Sequence, residues 1–281
     1  MISIDYKKCI RCGLCISICH ESCIRINDEV LSIDYRYCST CCQCISVCPE
    51  TALGWNGFYG VRINNELLPS SVQLAELLKK RRTIRDFSPI RPERQLIEDI
   101  LSMAVFAPTN NFNFRVVVVD NPGIIEKIDK AIFRYTSLIS TFVFRTGLSK
   151  LIRFFLSTQR YFELQKAEAK IKVVGKTGKG FKTCPPVIVF IVGDKAIPLS
   201  VESAQYALYN IDLYAQLKGL GCNILVGSQG IVNKDNGIMK RLGIGKKEKI
   251  FGMMSIGYPA VSFLNKIEGK HMPVQWNTGK Y

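Results

Sequence analysis

Leucines at positions 74, 77 and 78 recur at helical spacing directly after Ser70 and Ser71, so an amphipathic helix is expected there, with one of the two serines as its N-cap. The run Arg115-Val116-Val117-Val118-Val119 reads as a core strand. Further on, Cys184-Pro185-Pro186 leads into Val187-Ile188-Val189-Phe190-Ile191-Val192, a continuous apolar run suited to a strand buried on both faces. A long helix is predicted from about Val201 to Lys218, stopped by Gly219-Leu220-Gly221, where glycine suits a helix C-cap. Met253 to Gly257, followed by Tyr258-Pro259, reads as a final core strand and its turn.

The first 57 residues are organised by cysteine. Eight of the twelve cysteines form two copies of one spacing: Cys9, Cys12, Cys15, Cys19 and Cys38, Cys41, Cys44, Cys48, the second closed by Pro49. The C-x2-C-x2-C-x3-C-P run is that of a bacterial-type ferredoxin with two 4Fe-4S clusters, in which the fourth cysteine of each run ligates the other cluster. Cys9, Cys12, Cys15 and Cys48 are therefore assigned to one cluster, and Cys38, Cys41, Cys44 and Cys19 to the second. A shift of 29 residues lays Ser3-Ile4-Asp5-Tyr6 on Ser32-Ile33-Asp34-Tyr35 and all four ligands on one another, which identifies a duplicated half-domain. The same shift sets Cys42 against Gly13 and Cys23 against Ala52, so both extra cysteines are read as packing residues. His20 stands where the repeat has Pro49. Disulfides are disfavoured because residues 1 to 8 carry no apolar signal segment, and a reducing cytoplasm is expected. Zinc is the less specific reading of this spacing.

With 281 residues and 47% hydrophobic content, the chain has room for a second domain with a normal core. The boundary falls around Trp55-Asn56-Gly57, giving a ferredoxin-like domain over 1–57, a linker over 58–71 and a larger domain over 72–281. Lys80-Arg81-Arg82-Thr83-Ile84-Arg85-Asp86-Phe87 then gathers cations and a hydroxyl into a plausible anion cradle, although a basic helix end commonly just complements the helix dipole. The run resembles the R-R-S-x-R-x-F signature of the nitroreductase-like flavoenzymes. Ala107-Pro108-Thr109-Asn110-Asn111-Phe112-Asn113 likewise resembles their A-P-S-x-x-N segment, though it is shorter and lacks the usual Gln-Pro-Trp.

That resemblance, over about residues 72 to 276, implies an α+β chain overall: a small two-cluster domain followed by an α/β FMN domain with a mostly antiparallel central sheet, paired as a homodimer. It implies that Arg81, Arg82 and Thr83 hold the FMN phosphate end, that Arg85 reaches the pyrimidine edge, and that Asn110 or Asn111 bonds the ring. It matches Ile224-Leu225-Val226-Gly227 to a short strand ending in glycine, with backbone around Val226 and Gly227 near N5 and O4. Lys270 is the first choice for a second phosphate cation, with Lys266 and His271 as alternatives.

Other chemistry is excluded or stays open. No G-x-G-x-x-G follows a strand, and Gly175-Lys176-Thr177 lacks the preceding glycine of a phosphate-binding loop because position 170 is Lys170. The tract Gly175 to Gly180 reads as a flexible basic loop. With only His20 and His271 present, histidine acid-base catalysis is unpromising.

Residues 1 to 57 carry five basic and six acidic side chains, net −1, which leaves +16 for the rest of a chain whose net charge is +15. The segment 142–182 is both basic and aromatic. It reads as a helix pair with a solvated basic face, a lid over the flavin or, least favoured, a membrane-surface helix. No nucleic-acid module accompanies the charge, and an acidic redox partner such as an external ferredoxin or flavodoxin suits it better. Together these features predict an oxidoreductase passing electrons from two clusters through FMN to a small electron-poor acceptor, or alternatively a redox relay or sensor.

Overall fold

A computed structural model of the chain describes residues 1–109, 113–145 and 156–277. The cysteine-rich part contains β1 (Ile2–Ile4), α1 (Leu14–Ile18), β2 (Ile24–Asn27), β3 (Val30–Ile33), α2 (Gln43–Val47), β4 (Leu53–Trp55) and β5 (Phe58–Tyr59). The 29-residue repeat is visible in the backbone. Helices α1 and α2 are spaced by 29, and left-handed residues recur in the same pairs, Arg11 with Thr40, Gly13 with Cys42 and Ser22 with Thr51. Strand β1 pairs antiparallel with β4, and β2 with β3, so each sheet takes one strand from each half. This exchange carries the end of one cysteine run over to the start of the other.

Strand β5 pairs with β4 through Gly54 opposite Tyr59 and Trp55 opposite Phe58, which extends this unit past the expected boundary at 57. After it, α3 (Ser71–Lys80) starts at Ser70, whose side chain accepts from Gln73 N–H while Gln73 returns the bond, a capping box. Its apolar face is only partly covered: Leu77 is half-buried, whereas Leu74 and Leu78 are exposed.

The larger domain continues with α4 (Arg94–Ser102), β6 (Phe114–Val119), α5 (Pro122–Ser140), α6 (Thr158–Thr177), β7 (Val187–Asp194), α7 (Ser200–Leu217), β8 (Gly221–Ile224), α8 (Val226–Val232), α9 (Asn236–Arg241) and β9 (Glu248–Gly257). The sheet order is β6-β7-β9-β8, with every described pairing antiparallel. Strand β7 is buried on both faces. Val187, Val189 and Ile191 pack with Ala204, Leu208 and Ile211 of α7, while Ile188, Phe190 and Val192 pack with Ile125, Ile128 and Ile132 of α5. That two-sided burial is the physical reason its sequence is continuously apolar.

Some expectations are corrected. Strand β9 begins at Glu248, ahead of the apolar run, and a bulge places Phe251 between the partners of Ile191 and Val192. Helix α6 runs through Gly175 to Thr177, so the flexible loop predicted over 175–180 shrinks to a turn with Gly178 left-handed. Of the predicted basic-aromatic segment, residues 146–155, including Lys150, Arg153, Phe154 and Phe155, lie outside the described residues.

Arg115 of β6 forks onto Glu248 of β9, with Nε–Oε1 at 2.8 Å and Nη2–Oε2 at 3.0 Å, and also donates to Gly243 O at 2.9 Å. The guanidinium, helped by the Gly245 N–H, pulls the Glu248 carboxyl down to about 2 from the usual 4.5. Because the folded value is depressed, this stabilisation is complete above 4.5 and is lost as pH falls toward 2. Glu248→Gln should lower the thermal midpoint at neutral pH by about 2–4 °C, the equivalent of roughly 1 kcal/mol. Scanning calorimetry should show that deficit vanishing toward pH 2.

Candidate functional site

The eight repeated cysteines are brought together in two clefts of about 380 and 370 Å³, open solvent included. The first is lined by Cys9, Cys12, Cys15 and Cys48 and the second by Cys19, Cys38, Cys41 and Cys44, so each takes the last cysteine of the opposite run. Pro49 lines the first and His20 the second, as their places in the repeat require. Among the described residues, no three His, Cys, Asp or Glu side chains converge as they would around one metal ion. Burial is the main cause raising the Cys15 thiol and pushing Cys44 up to about 12.

Of the two extra cysteines, Cys23 is buried in the core of this unit and Cys42 packs against it, in keeping with their reading as packing residues. Both line the second cleft. Cys23 Sγ lies 3.5 Å from Cys19 Sγ, and Cys42 occupies a left-handed N-cap with φ 60°, its thiol donating to Thr40 O at 3.3 Å. The repeat partner of Cys42 is Gly13, which holds the same conformation without a Cβ penalty.

The second group of interest lies around residues 81–87. Ile84 N–H donates to Cys222 O of β8 at 2.9 Å, and Ile84 packs so closely on Gly221 that a Cβ there would overlap it. This contact lays the cradle against the sheet edge. Arg81 Nη1 meets Asp212 Oδ2 at 3.0 Å, where the carboxylate side chain is only 2% exposed. Gln216 braces the pair by donating to Asp212 Oδ1 at 3.3 Å and to Arg82 O at 3.4 Å. Burial raises the Asp212 carboxyl against the lowering effects of Gln216 and Arg81, and burial followed by Asp212 pushes the neighbouring Cys222 thiol well up.

Arg82 turns back to donate to the carbonyls of Lys79 and Arg81, both at 2.7 Å, closing the end of α3 in the role of a helix-end cation. Arg85 is exposed and in no ion pair among the described residues, and Thr83 is half-buried. Asp86 is tied to Lys182 Nζ and, at 2.9 Å, to Thr183 Oγ1, so the C-terminal end of the 142–182 segment is anchored beside Arg85.

Val226 and Gly227 open α8 rather than close a strand, since β8 stops at Ile224. No side chain caps that helix, and nothing stands within 4 Å of a Cβ built on Gly227. Asn110 and Asn111 lie outside the described residues. Lys270 and His271 sit on an exposed tail beyond β9, whereas Lys266 is engaged with Glu76 of α3 at 2.8 Å. The tail and α3 are joined again by Lys79 and Glu268 at 3.4 Å.

Asp212, Gln216 and Cys222 were not anticipated from the sequence. The available signal was an acid on the apolar stripe of a helix: Asp212 falls among Ala204, Leu208, Ile211 and Ala215, where an ionisable group is tolerated only with a partner.

Among curated proteins, none matches the sequence. Among solved structures, the chain is similar to an oxidized iodotyrosine deiodinase bound to FMN and 3-iodo-L-tyrosine, at 20% identity and TM-score 0.52, covering 73% of this chain and 99% of that one. It is similar to a nitroreductase with bound FMN from Bacteroides fragilis NCTC 9343, at 17% identity and TM-score 0.50, over 72% and 99% of the two chains. It is also similar to a nitroreductase with bound FMN from Desulfitobacterium hafniense DCB-2, at 16% identity and TM-score 0.50, over 72% and 97%. These likenesses speak for the fold. Residues 78–258 match the profile of the Nitroreductase family, a span that holds the cradle, the four-stranded sheet and the helices on both its faces. The chain belongs to the nitroreductase family.

Proposed function

We propose that the protein is an iron-sulfur flavoprotein oxidoreductase, with two 4Fe-4S clusters held by residues 1–59 and FMN held by the larger domain. When bound, the clusters would relay single electrons and FMN would gather them in pairs for a small electron-poor acceptor, such as a nitro compound, quinone, flavin or activated alkene.

The observation that carries this reading is the make-up of the two clefts, each with three cysteines of one run and the last of the other. Cys9, Cys12, Cys15 and Cys48 would hold one cluster, and Cys38, Cys41, Cys44 and Cys19 the other. A cubane takes one thiolate per iron. Its four sulfurs therefore stand further apart than those around a single zinc, where metal-sulfur bonds of about 2.3 Å draw them together.

For FMN, the donors suit an anionic planar ligand. Thr83 would meet the phosphate end, together with donors of Arg81 left over from Asp212, since a guanidinium has five N–H groups. Arg85 carries the charge suited to the pyrimidine edge, and the uncapped first turn of α8 at Val226 and Gly227 offers backbone amides to O4 and N5. Arg82 is the weaker phosphate candidate, because its guanidinium is turned onto backbone carbonyls.

The chain is read as one half of a homodimer. Val72 on α3 is 76% exposed, and Leu264, Met272 and Trp276 on the tail are each more than 80% exposed, an apolar area of the kind a second copy covers. On that reading Lys270 would act from the tail. The positive field of the larger domain favours an acidic donor such as an external ferredoxin or flavodoxin. The anchoring of Lys182 and Thr183 on Asp86 favours 142–182 as a lid. A lid that sealed the flavin would instead make the protein a redox relay or sensor. No helix of the described residues is long and apolar enough to cross a membrane.

Anaerobically purified protein should contain about eight irons and one FMN per chain. Arg85→Ala should keep the iron and the thermal midpoint, because the side chain is exposed, yet weaken FMN binding about tenfold, the equivalent of roughly 1.4 kcal/mol. Wild-type FMN affinity in that variant, measured by fluorescence titration, would show that the cradle is assigned wrongly.

A further inference from the structure

We propose that Cys23 is a dedicated hydrogen-bond donor to the Cys19 thiolate of the second cluster and makes that cluster the easier of the two to reduce. The inference rests on the iron-sulfur reading above and concerns how its two sites differ.

The sites are close copies. Ile16 N–H donates to Gly13 O at 3.0 Å in the first half, and Ile45 N–H to Cys42 O at 3.0 Å in the second. Ser22 N–H reaches Cys19 O at 3.0 Å, matched by Thr51 N–H to Cys48 O at 3.3 Å. Ala52 N–H also donates to Cys48 Sγ at 3.3 Å. These backbone contacts stay in place when the side chain at position 23 or 52 is changed, so a substitution there isolates the side chain's effect on the two sites.

Position 23, the repeat partner of position 52, does distinguish them. Ala52 lines the first cleft with a methyl group, whereas Cys23 lines the second with a thiol. Cys23 is 4% exposed and its Sγ is 3.5 Å from Cys19 Sγ. Cys19 is assigned as a ligand of the second cluster. As an iron thiolate Cys19 has no proton to give, so Cys23 is the donor in this contact.

Two other differences between the clefts do not supply this bond. Cys42 spends its proton on Thr40 O, and His20 is exposed to solvent, where its effect is screened. Reducing a cluster adds one negative charge, which spreads onto the sulfurs. A hydrogen bond to those sulfurs therefore stabilises the reduced form more than the oxidised one and raises the potential. A single electron shared between the two clusters then settles on the second.

The test is an anaerobic redox titration, followed by electron paramagnetic resonance, of the full chain with its iron counted beforehand. Wild type should show two midpoints. Cys23→Ala should lower the upper one, so that the reduced-to-oxidised ratio of that cluster falls about tenfold at fixed potential, or about 59 mV for one electron. Cys23→Ser keeps a donor hydroxyl and should shift it less. Ala52→Cys places the same thiol in the first cleft and should raise the lower midpoint, narrowing the gap.

Unchanged midpoints in Cys23→Ala with about eight irons retained would overturn the proposal, as would an equal shift of both clusters. Iron loss from both Cys23→Ala and Cys23→Ser would also overturn it, since Cys23 would then be holding the cluster rather than tuning it. Wild-type protein lacking the clusters would instead defeat the underlying iron-sulfur reading, so the two failures are distinguishable.

Discussion

Cys48→Ala should lose about half of the protein's iron, and the loss should fall on the cluster assigned to Cys9, Cys12 and Cys15. Cys48 closes the run beginning at Cys38, yet the two-cluster spacing assigns it to the other cluster. The exchanged sheets agree, because β4 follows Cys48 after a short turn and pairs with β1 at the start of the first half. The first cleft also has no thiol beyond its four, so nothing there can replace Cys48. Cys19→Ala is the less clean counterpart, with Cys23 beside it at 3.5 Å. Iron analysis with paramagnetic resonance of the surviving cluster is the readout. A variant that keeps the Cys9 cluster and loses the Cys38 cluster would refute the crossed assignment.

Arg81→Ala should strongly destabilise the larger domain. It strands a carboxylate whose side chain is only 2% exposed, and breaking a buried pair by removing one partner typically costs about 3–5 kcal/mol. Arg81 is itself 28% exposed, which places the expectation near the lower end, about 3 kcal/mol. For a domain of this size that is a fall of roughly 6–12 °C in thermal midpoint. Asp212 can escape the penalty by protonating. Its folded value is then raised, so stability is lost as pH rises through that value, and the deficit should be larger at neutral than at acid pH. Adding Asp212→Asn should recover part of the loss, a coupling that calorimetry on the four proteins of the cycle would measure. Independent, additive effects would mean that the pair does not position the cradle. FMN affinity should fall with Arg81→Ala even below the melting range, because Arg81 is proposed to meet the phosphate as well as to anchor on α7.

Much of the larger domain was legible because its signals are local and strong. Strand β7 needed only an unbroken apolar run, and α7 ended one residue from its expected limit because Gly219 adopts a left-handed φ of 77° that suits a C-cap. Elsewhere local signals were ambiguous. Ile224-Leu225-Val226-Gly227 is apolar and short, a length at which periodicity cannot separate strand from helix, and the chain turns into α8 at Val226. Glu248 and Lys249 hid the start of β9, because an edge-facing ion pair with Arg115 satisfies a charge that the sequence pattern alone reads as loop.

The sequence by itself determined what the eight cysteines are suited to, since iron demands thiolates at short fixed spacings and a duplication repeats that demand. It also determined the core strand and the family signature around Arg81 to Phe87. Only the tertiary structure showed how the cysteines that the spacing had already grouped come to share a cleft, because strand exchange between the repeats is a long-range pairing. It also decided that Arg81 is locked by Asp212, 131 residues away, that Lys182 and Thr183 return to Asp86, and that Cys23 lies against the Cys19 thiol. These are contacts between distant segments. Burial makes each of them energetically decisive, and burial is a property of the folded chain.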